Sequence, residues 1–114
     1  MGTNELVELL QKNGLRRIDA TILALFRDGR QRVSAEIENE TGLRQPAILT
    51  SMMRMLNRGW FLAEFVKSSE GYSRTTVRYR LAMEYKEICG DIAEEQGTKI
   101  AGMMADLNSL RTVA

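Results

Sequence analysis

The chain of 114 residues contains a single proline, Pro46, four positions after Gly42, and that spacing restricts what the surrounding sequence can become. Proline has no backbone N–H and a fixed φ, so it is accepted in the first turn of a helix and almost nowhere deeper. A helix therefore opens near Gln45. Its apolar positions Ile48, Met52 and Met55 step by four and then three, and Asn57-Arg58-Gly59 closes it with a cation and a glycine. Just upstream, Thr41-Gly42-Leu43 interrupts a shorter helix expected over Ala35–Glu40, with Ser34 as its N-cap and Glu36 in the first turn. Two short helices thus flank a tight glycine turn.

The remaining elements follow from periodicity. Thr3–Asn13 predicts a short helix with Leu6, Leu9 and Leu10 on one face, stopped at Gly14. Ile18, Ile22, Leu25 and Phe26 predict a second helix that ends at Asp28-Gly29. From Trp60 the residues become aromatic and branched, and beyond Ser68-Ser69-Glu70-Gly71 the period is two: Val77, Tyr79 and Leu81 alternate with Arg74, Thr76, Arg78 and Arg80. This is a hairpin with one packed face and one arginine face. Residues 83–112 lack proline and read as one helix of some 30 residues, on the order of 45 Å long. It carries a row of small residues, Cys89, Ala93, Gly97, Ala101 and Ala105, that would admit another helix at close range. The glycines within it either rely on that packing or break the helix near Gly97-Thr98, and packing is the preferred reading.

Composition then removes whole classes of function. With no histidine and one cysteine, Cys89, the chain has no His-ligated zinc, no Ser-His or Cys-His nucleophile pair and no internal disulfide. Glu94 and Glu95 adjoin on a helix but do not face each other, so an enzyme is not expected, and neither is a cofactor or metal. The seven methionines read as adaptable core and Cys89 as a buried, unreactive thiol. There is no apolar run long enough to span a membrane and no secretory pattern at the N-terminus, so a cytoplasmic protein is expected. Net charge is +1, yet residues 1–40 carry −1, residues 41–82 carry +5 and residues 83–114 carry −3. Six of the seven bases in the middle segment are arginine, whose planar fork suits phosphate and guanine edges. The centre of the chain is where an anionic partner belongs.

The order helix, helix, strand stub, helix, glycine turn, helix, hairpin is that of a winged helix-turn-helix domain, a mainly α fold with a small antiparallel hairpin. Thr41-Gly42-Leu43, then Ile48, Met52 and Met55, then Arg58-Gly59-Trp60 resembles the recognition-helix signature of MarR, ArsR and TrmB-type regulators, over about residues 15–82. With no separate effector domain and a long final helix, the chain looks most like small archaeal regulators related to the DNA-binding half of TrmB. The resemblance implies a DNA-binding domain over 1–82 and a dimerisation helix over 83–114. It implies a homodimer on double-stranded DNA, with recognition helix 45–58 in the major groove and wing 68–75 on backbone or minor groove.

The DNA-contact candidates implied are Arg44, Gln45, Thr50, Ser51 and Arg54 on the recognition helix, with Arg54 foremost, and Arg74 and Arg78 on the wing. The dimerisation candidates are Ile88, Ile92, Ala93, Gly97, Ile100, Ala101, Met104 and Leu107. Glu38 departs from the small residue usual at its place, which implies altered spacing of the two helices. Leu49, Met53 and Leu56 form a second apolar stripe on the recognition helix. Packing is the first reading for it; contact with thymine methyls or a partner protein are the others. The last of these defines the alternative function, a winged-helix protein-interaction module.

Overall fold

The structure, a computed structural model, describes residues 2–67 and 75–113, with side chains for all of these except 75 and 106–113. In order along the chain come α1 (Thr3–Lys12), α2 (Arg17–Leu25), a short 3-10 turn (Phe26–Asp28), β1 (Arg32–Val33), α3 (Ser34–Thr41), α4 (Gln45–Asn57), β2 (Phe61–Lys67), β3 (Thr75–Leu81) and α5 (Tyr85–Val113). The strands form one antiparallel sheet in the order β1-β3-β2. Arg32 is opposite Tyr79 in one ladder, and Phe61 opposite Leu81 in the other.

Local chemistry explains the boundaries. Gly42 ends α3 at φ 75° and donates its N–H to the Glu38 carbonyl at 2.8 Å, a left-handed stop that a side chain would strain. Pro46 sits in the first turn of α4. Ser34 is the first residue of α3 and Val33 is its N-cap, one position earlier than the spacing implied. The Glu36 carboxylate reaches back to accept the Val33 N–H at 3.1 Å, the half of a capping box that does not depend on a polar N-cap side chain.

The core lies where α2, α3, α4 and the sheet converge on the first turns of α5. Ile22, Leu23, Phe26, Ile37, Ile48, Met52, Met55, Trp60, Phe61 and Tyr79 are all buried there. Phe26 meets Phe61 edge-to-face at 4.9 Å between centroids, a favoured aromatic geometry. Over Phe26 lies the guanidinium of Arg32, which is 3% exposed and held by Asp28 at 2.7 Å and Glu40 at 2.8 Å. One side chain thereby ties the 3-10 turn, β1 and α3 together.

Helix α5 is unbroken through Gly97, and at 1.5 Å per residue its 29 residues span about 44 Å. Ile88 and Ile92 are 0% and 2% exposed and belong to this chain's own core, which corrects their reading as partner-facing residues. Next, Asp91 accepts the Trp60 indole N–H at 3.2 Å, and Glu95 pairs with Arg58 at 2.8 Å while that guanidinium also covers the Trp60 ring. Beyond Lys99 the helix leaves the domain, and the molecule measures 71 × 27 × 25 Å. A Cβ added at Gly90, Gly97 or Gly102 would meet nothing within 4 Å, so close packing inside this chain is not what these glycines serve. Among the described residues no helix is long and apolar enough to cross a membrane.

Candidate nucleic-acid interface

Helix α4 is fastened to α2 by one carboxylate. Asp19, only 8% exposed, accepts from Ser51 Oγ at 2.6 Å, from Arg54 Nη2 at 2.7 Å and from Arg54 Nε at 3.1 Å. The charge-assisted fork is stronger than a neutral hydrogen bond, and the carboxylate raises the Arg54 pKa further above its ordinary value. Ser51 is fully buried, so it faces α2 and not a groove, a correction to its reading as a DNA contact. Arg54 has about a third of its side chain exposed and its Nε and Nη2 engaged, which makes it first a positioning residue for α4.

The other candidates divide similarly. Gln45 is exposed, but its amide donates to the Ser34 carbonyl at 3.1 Å and to Glu38 Oε2 at 2.8 Å. Glu38 therefore lies beside α4 as a hydrogen-bond acceptor where a small residue would merely pack. Thr50 is exposed and returns its hydroxyl to the Pro46 carbonyl at 2.9 Å. Arg44, the N-cap of α4, is exposed and has no ion partner among the described residues. On the sheet, Arg78 pairs with the cross-strand Glu64. Arg74 and residues 68–74 of the wing lie outside the described residues, as does the side chain of Leu107.

Two arginines unmarked by the helix periodicity join this surface. Arg16 is the N-cap of α2 and Arg17 its first residue, both exposed. With Pro46, Ala47, Thr50 and Arg54 they line a cavity of about 610 Å³ between α2 and the start of α4. Neither has an ion partner among the described residues, and the Asp19 charge below them is already met by Arg54. An Arg-Arg pair directly before a helix was the only sequence signal for them.

The apolar stripe splits. Leu56 is half-buried against the core, as the packing reading expects, whereas Leu49 and Met53 are 55% and 56% exposed. Toward the far end of α5, Ile100, Met103 and Met104 are likewise exposed, with Ala93, Gly97 and Ala101 exposed along the same helix. Cys89 is half-buried, and burial pushes its thiol up in pKa, away from reactivity.

A helix pair joined by a glycine turn, resting on further helices and followed by a β-hairpin that pairs with a short strand, is a winged helix-turn-helix. No family model and no curated protein matches the chain. Among solved structures it is similar to a crystal structure titled as a transcriptional regulator, with TM-score 0.56 and 14% identity over 95% of this chain and 69% of that one. It is similar to the transcriptional regulator PA4135, with TM-score 0.55 and 14% identity over 97% and 91%. It is similar also to Pex from Synechococcus, with TM-score 0.51 and 18% identity over 88% and 98%. The chain has the fold of winged-helix transcriptional regulators; these matches do not favour the narrower TrmB-like grouping.

Proposed function

We propose that the chain is a cytoplasmic transcriptional regulator that binds double-stranded DNA sequence-specifically as a homodimer, with α4 in the major groove and residues 68–75 on backbone or minor groove. The observation that carries the reading is the distribution of arginine. Arg32, Arg54, Arg58 and Arg78 are each matched to a carboxylate, whereas Arg16, Arg17 and Arg44, at the N-terminal ends of α2 and α4, have none among the described residues. Helix α4 itself carries no acid. Unmatched guanidinium groups beside a helix of this class suit the phosphates that flank a major groove. The exposed Ile100, Met104, Ala93, Gly97 and Ala101 support α5 as the contact between two copies.

The second reading, a protein-interaction module, has the exposure of Leu49 and Met53 in its favour. Against it stand the three unmatched cations at the N-terminal ends of α2 and α4, which a purely apolar docking face does not need.

Electrophoretic shift of duplex DNA across a salt series tests the proposal. Affinity should fall steeply with salt, and Arg16→Ala or Arg17→Ala should weaken binding on all sequences alike while reducing the salt slope by about 1 each. A folded protein that binds no duplex at low salt overturns it.

A further inference from the structure

The polar side chains of α4 that would ordinarily read base edges are already engaged. Ser51 is buried, Arg54 is forked onto Asp19, the Gln45 amide bridges Ser34 and Glu38, and Thr50 bonds its own helix. Beside the engaged Gln45 and Thr50, the middle of α4 holds out an apolar pair to solvent: Leu49 and Met53, one turn apart and therefore on one face, both more than half exposed. Leu49 also borders a cavity of about 400 Å³ lined by Pro46, Ile48, Val77 and Tyr79. An apolar pair of this kind, on a helix that opens at the unmatched Arg44 and whose Pro46, Ala47 and Thr50 share a cavity with the unmatched Arg16 and Arg17, calls for a partner that is polyanionic overall and presents apolar groups of its own. Duplex DNA meets both conditions in the major groove, where thymine alone among the four bases carries a methyl group.

We propose that α4 selects its site by contact of Leu49 and Met53 with the C5-methyl groups of thymine. The inference rests on the DNA-binding reading above and deepens it: the arginines hold the backbone, and the apolar pair supplies base preference. Sites bound tightly are then rich in thymine at the positions facing residues 49 and 53.

The test begins by selecting tight-binding duplexes from a random pool with the full chain. Each thymine in the selected site is then replaced by uracil, which removes the methyl and leaves base pairing intact. Affinity should fall about fourfold at each contacted thymine, the fold-change that corresponds to one methyl-sized apolar contact. Leu49→Ala combined with Met53→Ala should bind the thymine and uracil duplexes equally well, with unchanged circular dichroism because both side chains lie outside the core. Specific binding that ignores every uracil replacement overturns the inference and leaves the regulator reading intact. Failure to select any duplex overturns both. A drop in solution mass for Leu49→Ser with Met53→Ser would place a second copy of the chain on this face and overturn the thymine assignment.

Discussion

At the scale of single residues, the decisive groups are charges placed where charge is costly. Arg32 is the clearest: its guanidinium is almost fully buried over Phe26, and Asp28 and Glu40, each about 40% exposed, face it from two sides. A buried cation without partners would shed stability, and with them it locks the strand stub to the helix that follows. The Arg32 hydrogen bond holds the Asp28 carboxyl well below the usual carboxylate range. A group whose pKa is lowered by folding stabilises the fold above its unfolded value near 4, and that contribution is lost as pH falls through the folded value. Urea midpoints should therefore hold steady from pH 7 to about pH 5 and then drop progressively down to about pH 2. Arg32→Met should cost about 1–2 kcal/mol at neutral pH, since half-exposed acids regain water when the cation goes. The gap between variant and wild type should close as the pH is lowered; a gap independent of pH would mean that packing on Phe26, and not the ion pair, is what Arg32 contributes.

At the scale of elements, the orientation of α4 depends on α2. Asp19 takes three hydrogen bonds from two α4 side chains, and two of them come from a guanidinium. Asp19→Asn keeps the shape and removes the charge, so it should lower stability by about 1–3 kcal/mol in chemical denaturation. If α4 is the DNA-reading helix, the same variant should also blur sequence preference more than it weakens salt-dependent binding. The sequence made most of the elements legible through Gly42, Pro46 and the period-two arginines of β3, because such turn and strand signals act over a few residues. It did not reveal which of the two apolar stripes on α4 points inward, since Ile48-Met52-Met55 and Leu49-Met53-Leu56 share the same period. Nor did it reveal that Ser51 and Arg54 turn toward a carboxylate more than 30 residues away. A sign was present: Asp19 is an acid directly beside Ile18 on an otherwise apolar helix, a position that calls for a buried partner. The assignment of Ile88 and Ile92 failed for a related reason. A long helix with one apolar pattern can divide it between its own core and a partner, and periodicity does not mark where the division falls.

At the scale of the whole molecule, the second half of α5 runs out of a domain about 25 Å thick. The helix's first turns are spent on the core and its middle on Trp60 and Arg58, so any contact with a second copy falls to the outward residues from Ala93 onward. Ile100 and Met104 are one turn apart and at least half exposed, and the exposed Gly97 and Ala101 beside them would let a second helix approach closely. In the homodimer proposed, these residues are covered and the acidic arm keeps clear of DNA while two α4 helices reach half-sites about one helical turn apart. Ile100→Glu combined with Met104→Glu would place like charges in that contact without touching the core. Sedimentation should then fall from twice the 12.9 kDa of one chain to that value, with helical content retained. Binding to a duplex with two half-sites should weaken about 10²-fold or more as the second contact ceases to be intramolecular, while binding to a single half-site stays unchanged. If the doubly charged variant keeps the dimer mass, the two copies meet on another face; if it is monomeric yet binds the paired site undiminished, each domain acts alone and the arm has no part in recognition.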